Sequence, residues 1–220
     1  MPTRHPQFRF TRPGALIAAL PAVLGFVPEK SLVLVSLEEG RMGAVMRADL
    51  AADLIDNLDR LAELAAGSGA DSVVAVIVDD DGAVCPMCGD EHRALCDALT
   101  AMLDDRGVGL FGAHVVDRVE AGGHWHCVDG CGASGAVEDP AASPLAAAAV
   151  LDGRRLYARR SDLHAVIAAV DVARATRLVA SIHAQAAARD AQWQADPDSR
   201  GRRDVETAIE VAARVLDGTE

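Results

Sequence analysis

Four of the five cysteines of this chain fall into two close pairs. Cys85-Pro86-Met87-Cys88 is a C-x-x-C, and Cys127-Val128-Asp129-Gly130-Cys131 is a C-x-x-x-C about forty residues later. A tight turn between two thiols points both sulfurs at one ion, and four thiolates close a tetrahedral zinc shell. Cys85, Cys88, Cys127 and Cys131 are therefore the candidate zinc ligands, with His92, His124 and His126 nearby as substitutes. A shell of four cysteines leaves zinc no position for water, so such an ion would fold loops rather than activate a nucleophile. Binding of a protein or small ligand, not catalysis, is the leading expectation.

Two other chemistries fit the same residues. Cys85 and Cys88 between a strand and a helix resemble the first half of a glutaredoxin-like thiol–disulfide oxidoreductase, because a helix N-terminus favours the thiolate. Three features oppose it. Six residues separate the strand from Cys85, the Thr-Val-Pro element of that fold is missing, and the acids Asp79 to Asp81, Asp90 and Glu91 would raise a thiol pKa. A mixed Cys/His zinc site with a bound water would instead make a hydrolase. The fifth cysteine, Cys96, falls inside a helical pattern and reads as a small core residue.

Other clusters carry less. The glycine-rich run from Gly130 to Gly135 lacks a phosphate-binding lysine and reads as a loop. Arg154, Arg155, Arg159 and Arg160 form a basic cluster, read as solvated or paired within the chain. Asp79-Asp80-Asp81 closes a strand. Arg47 and Asp49, two apart on a strand end, read as an ion pair, with Asp49 as the N-cap of the next helix. His164 and His183 fall in helical segments as ordinary histidines, and no nucleophile elbow is present.

The elements that must position these residues follow from the apolar pattern. A helix entered at Pro13 spans the Gly14–Val27 region. It ends where Gly25 suits a left-handed cap and Pro28 cannot continue. Ser31–Leu37 and Ser72–Val78 are continuous branched runs and read as buried strands. Met42–Arg47 returns from the first strand across Glu38-Glu39-Gly40 as a hairpin. Leu50, Leu54, Leu58, Leu61 and Leu64 mark a helix over 51–66, and Leu95, Leu99, Met102 and Leu103 one over 90–106. Residues 108–119 contain a third strand, and His124–Cys127 is a short return strand. Residues 128–142 read as a loop, followed by short helices near 143–150 and 161–169, a longer one over 172–193, and a last one over 205–216. Strands alternating with helices predict an α/β domain over 1–170, with a mixed sheet, two hairpins and crossover helices. A C-terminal helical pair over 171–220 packs on it or mediates self-association, as a homo-oligomer or with a protein partner.

Several motifs resemble the bacterial domain-of-unknown-function family 4192. LIAALPAVLGFVPEKSLV (16–33) is similar to its opening, a helix ending in Leu-Gly-Phe-x-Pro followed by Ser-Leu-Val. Met46-Arg47-Ala48-Asp49-Leu50 resembles its Arg-x-Asp-Leu element. Trp125-His126-Cys127 with Cys131 resembles its aromatic-then-cysteine pair, and Gly153-Arg154 and Arg159-Arg160 its later Gly-Arg and Ser-Arg elements. The likeness covers about residues 11–170. It implies this fold and a cytoplasmic location, and it implies no activity. Cys85 and Cys88 are not part of the pattern.

Composition closes off other classes. Half of the 220 residues are apolar, which is enough for a core. Acids outnumber bases 33 to 21, giving −12, so phosphate backbones are repelled and nucleic-acid binding is not expected. Arg4, Arg9 and Arg12 before Gly14–Val27 mimic a secretory signal. However, Pro21 interrupts the apolar run, no small-residue cleavage site ends it, and it is too short to span a bilayer. An amphipathic helix in a cytoplasmic protein, with no membrane partner and with cysteines reduced or metal-bound, is the expectation.

Overall fold

The computed structural model describes residues 12–84, 86–167 and 172–195. The chain divides into two compact units, Met1–Val166 and Ile167–Glu220.

In the first unit the strands are β1 (Ser31–Glu38), β2 (Arg41–Asp49), β3 (Ser72–Val78), β4 (Gly109–Val116), β5 (His124–Cys127) and β6 (Ser134–Ala136). They form one mixed sheet in the order β2-β1-β3-β4-β5-β6. Only β3 and β4 run parallel; every other neighbouring pair is antiparallel. Helices α1 (Pro13–Leu24), α2 (Leu54–Gly67), α3 (Pro86–Asp104), α4 (Pro144–Leu151) and α5 (Arg160–Ile167) accompany it. The fold is the expected α/β class, with hairpins at β1–β2 and β4–β5 and a crossover through α3.

Strand alternation sorts the core into two layers. Leu32, Leu34, Val73, Ala75, Ile77 and Val115 face α2 and α3, where they meet Leu58, Leu95, Leu99 and Leu103. Val33, Val35, Val74, Val76, Val78 and Val116 face the other way, against Leu16, Ile17 and Leu20 of α1. A further apolar contact joins Ala19 and Ala22 of α1 to Leu145 and Ala146 of α4. That contact corrects the expectation of an amphipathic first helix. Residues 16–22 are buried all round because α1 is covered on both sides, which is why its sequence is uniformly apolar. Gly25, at φ 83°, caps it by donating to the Pro21 carbonyl.

Four boundaries differ from the sequence reading, each for a local reason. Asp49 is not a cap: it ends β2 and pairs with Arg47 (2.6 Å) and Arg160 (3.1 Å), while α2 begins only at Leu54. In α2 the buried stripe is Leu54, Leu58, Ala62 and Ala65; Leu64 points outward. Helix α3 begins at Pro86 rather than near 90, because proline suits a first helical turn even without apolar periodicity. Residues 134–136 form β6 within the expected loop, where a side chain at Gly135 would crowd the Trp125 indole, its Cβ falling 3.1 Å from Nε1.

Of the second unit, α6 (Val172–Ala195) is described. The helix expected over 205–216 lies outside the described residues.

Candidate metal centre

Cys127 ends β5 and pairs across the sheet with His114 of β4. Cross-strand partners share a face, so both side chains stand on the side covered by α1. The His114 ring lies edge-on to Trp125, 5.3 Å between centroids, and its Nδ1 is 3.4 Å from Cys127 Sγ. After Cys127 the chain is folded back on itself. The amide of Cys127 donates to the Ala133 carbonyl, and that of Val128 donates to Ala113. Gly130 and Gly132 take φ of 72° and 79°, a left-handed conformation that curls the hairpin loop tightly. Asp129 Oδ1 accepts the Cys131 amide at 2.9 Å. The result is a cluster in which Cys127 Sγ, Cys131 Sγ and an Asp129 oxygen all lie within 4.8 Å of one another.

The electrostatics suit a cation. Burial pushes the Cys127 thiol up to about 11, and the hydrogen bond to Cys131 and the charge of Asp129 add to it. Without a cation this thiol therefore stays protonated at neutral pH. Asp129 is held below the usual carboxylate range by its hydrogen bonds from Cys131. Burial holds His114 below the usual histidine value, against the opposing pull of Asp129, and so keeps its ring neutral. A neutral imidazole and two thiols beside a carboxylate are a donor set for zinc. Donors around a tetrahedral zinc stand roughly 3.5–3.8 Å apart, and the Cys127, Asp129 and Cys131 ligand atoms lie within 4.8 Å of one another.

The four cysteines singled out in the sequence are placed as follows. Cys127 and Cys131 come together. Cys88 sits in the first turn of α3, the helix that covers the opposite face of the sheet, and is not a member of that cluster. Cys85 lies outside the described residues. Cys96 is buried in the α3 core layer, as expected, and burial pushes its thiol up to about 11. Among the substitutes, His92 is buried on α3 and bonds Asp79, while His126 faces the α3 side of β5. His114 and Asp129 were missed as donors. The acid within C-V-D-G-C was a usable signal, but His114 depends on strand register, which no local pattern reports.

The remaining clusters are absorbed by intramolecular contacts. Lys30, the one lysine in the sequence, bridges Asp79, Asp80 and Asp81 at 2.6–2.8 Å. Arg160 pairs with Asp49, Arg155 stacks over Tyr157, and Arg154 donates to the Ala22 carbonyl. No helix among the described residues is long and apolar enough to cross a membrane.

Comparison with known proteins agrees with the motifs noted above. No curated protein and no solved structure matches the chain. A family described as Domain of unknown function (DUF4192) matches residues 13–220, extending past the motif-bearing stretch into the C-terminal unit, and the chain belongs to that family.

Proposed function

We propose that this protein is a binding or regulatory domain whose β5–β6 hairpin is built around a divalent zinc ion held by Cys127 and Cys131, with Asp129 and His114 completing the shell. The observation that carries this reading is the convergence of two sulfurs and a carboxylate within 4.8 Å, with His114 Nδ1 3.4 Å from Cys127 Sγ. Four protein donors leave no coordination position for water, so the ion's role is to fix the hairpin rather than to activate a nucleophile. The hairpin loop is irregular and glycine-rich, and only three residues pair on β6. Such a segment has little burial to hold it, and a bound ion supplies the missing stabilisation. This reading rests on the second cysteine pair: Cys85 lies outside the described residues, and Cys88 is not among the ligand atoms grouped with Cys127, Asp129 and Cys131.

Metal analysis of the full chain, purified without added zinc, tests this. About one zinc per chain is expected, lost in Cys127→Ser and in Cys131→Ser alike. His114→Ala is expected to weaken binding without abolishing it. Retention of zinc in both cysteine variants would refute the assignment.

A further inference from the structure

The thiols of the β5–β6 hairpin have a second chemistry besides metal binding. Cys127 Sγ and Cys131 Sγ lie within 4.8 Å of each other and share a hydrogen bond. A disulfide needs its sulfurs about 2.05 Å apart. The distance to close is therefore under about 3 Å, and one staggered-to-staggered rotation of a cysteine side chain moves its sulfur by about that much.

The loop leaves room for that movement. Cys131 is exposed, and Gly130 and Gly132 on either side of it take φ of 72° and 79°. The strand pairing lies outside the loop, with His124, Trp125 and His126 opposite Ala136, Gly135 and Ser134. Joining the two sulfurs thus leaves the β5–β6 ladder as it is. The thiols are also unequal. Cys131 stands open to solvent, whereas Cys127 is half-buried with His114 Nδ1 3.4 Å from its sulfur. Thiol oxidation follows exposure, so Cys131 meets an oxidant first and Cys127 stands behind it as the resolving thiol. Cys96 is buried in the α3 layer, and Cys88 is not in this group.

We infer that Cys127 and Cys131 are a peroxide-reactive dithiol that closes to a reversible disulfide, and that this disulfide and zinc are alternative states of one site. Cys131 gives its proton to water, and its sulfur attacks one oxygen of hydrogen peroxide. The O–O bond breaks, the departing hydroxide takes up a proton as water, and Cys131 is left as a sulfenic acid. Cys127 then loses its proton to water, and its sulfur attacks that of Cys131. The S–O bond breaks, and the second hydroxide also leaves as water. In sum, two thiols are oxidised to one disulfide while one peroxide is reduced to two waters. A dithiol reductant reverses the bond by exchange. Zinc binds thiolates, so the disulfide withdraws two of its donors and releases the ion. The dithiol chemistry stands on the sulfur pair alone; its exclusion of zinc rests on the function proposed above.

Trypsin releases residues 119–154 as one peptide in which Cys127 and Cys131 are the two cysteines. The full metal-free chain, treated with equimolar hydrogen peroxide and then blocked with iodoacetamide, is expected to yield this peptide unalkylated and lighter by two hydrogens. Dithiothreitol before the block is expected to restore both alkylations. In Cys127→Ser, which keeps the size of the side chain, dimedone is expected to trap Cys131 as its sulfenic acid, a species that disulfide closure removes in the native chain. If both thiols of the native chain still alkylate, or if Cys131 gains oxygen while Cys127 alkylates, the sulfurs do not meet and the inference fails. Saturating zinc added before the peroxide is expected to slow closure, and closure is expected to release zinc to a chromogenic chelator. A disulfide that forms as fast with zinc present overturns the exclusion, and the zinc shell with it, while the dithiol stands.

Discussion

Cys127 is the residue in which packing and chemistry meet most directly. The folded state raises its thiol to about 11 from the ordinary 9.0, chiefly by burial. In the metal-free protein the folded form therefore holds this proton more tightly than the unfolded chain does. The resulting contribution to stability is fully present below about pH 9 and is lost as pH rises through the folded value of about 11. Urea unfolding of metal-free protein on either side of that window should show a falling midpoint at the alkaline end. Cys127→Ser should flatten the fall in part, with Cys96, raised in the same direction by burial, accounting for a remainder. An equally steep fall in the variant would mean that Cys127 is not desolvated as described. With zinc present the sign reverses for this residue, because the ion binds the thiolate and alkaline conditions then favour the complex.

At the scale of elements, the β3–α3 connection shows how a small residue sets the position of polar ones. The chain leaves β3 at Val78, places Asp79 beneath Lys30 and His92, and passes through a single helical turn at Gly82–Val84 before α3 begins. Gly82 sits where any Cβ would overlap the Asp79 carboxylate. Gly82→Ala should therefore push Asp79 out of its bonds to both His92 and Lys30. By analogy with overpacked sites, a loss of about 1–3 kcal/mol in chemical denaturation is expected, and an unchanged midpoint would show that Asp79 can relocate freely. This connection also marks the limit of what the sequence discloses. The strands Ser72–Val78 and His124–Cys127 were legible to the residue, since a branched apolar run or a short run bounded by glycines has few alternatives. Pro86-Met87-Cys88-Gly89 carries no helical periodicity, so the true start of α3 was hidden, and with it the fact that Cys88 and His92 share a helical face. Strand β6 was hidden for a related reason: Ser134-Gly135-Ala136 has no strand propensity, and the close approach of Trp125 to its glycine is not reported by any local pattern. The neighbours His114 and Cys127 required the β4–β5 register, which emerges from packing and not from local pattern.

At the scale of the whole molecule, the distribution of burial makes a definite statement about where stability resides. Among the described residues, every buried apolar side chain lies between Leu16 and Ala149. The apolar layers on both faces of the sheet, and the contact of α1 with α4, are thus complete within the first compact unit. Polar ties within this unit include the amide of Tyr157 bonded to the Gly25 carbonyl and Arg160 paired with Asp49. The dependence of unfolding free energy on urea scales with the surface newly exposed, and among the described residues the buried apolar surface lies in these layers. A chain ending after Val166 should therefore unfold in one cooperative transition, with a midpoint close to that of the full protein and a urea slope little reduced. It should also retain the zinc held at Cys127 and Cys131. Circular dichroism and tryptophan fluorescence, the latter reporting on Trp125 within its layer, provide two probes whose transitions should coincide. A broad or multiphasic transition, or loss of zinc on truncation, would mean that residues 167–220 complete the core rather than follow it.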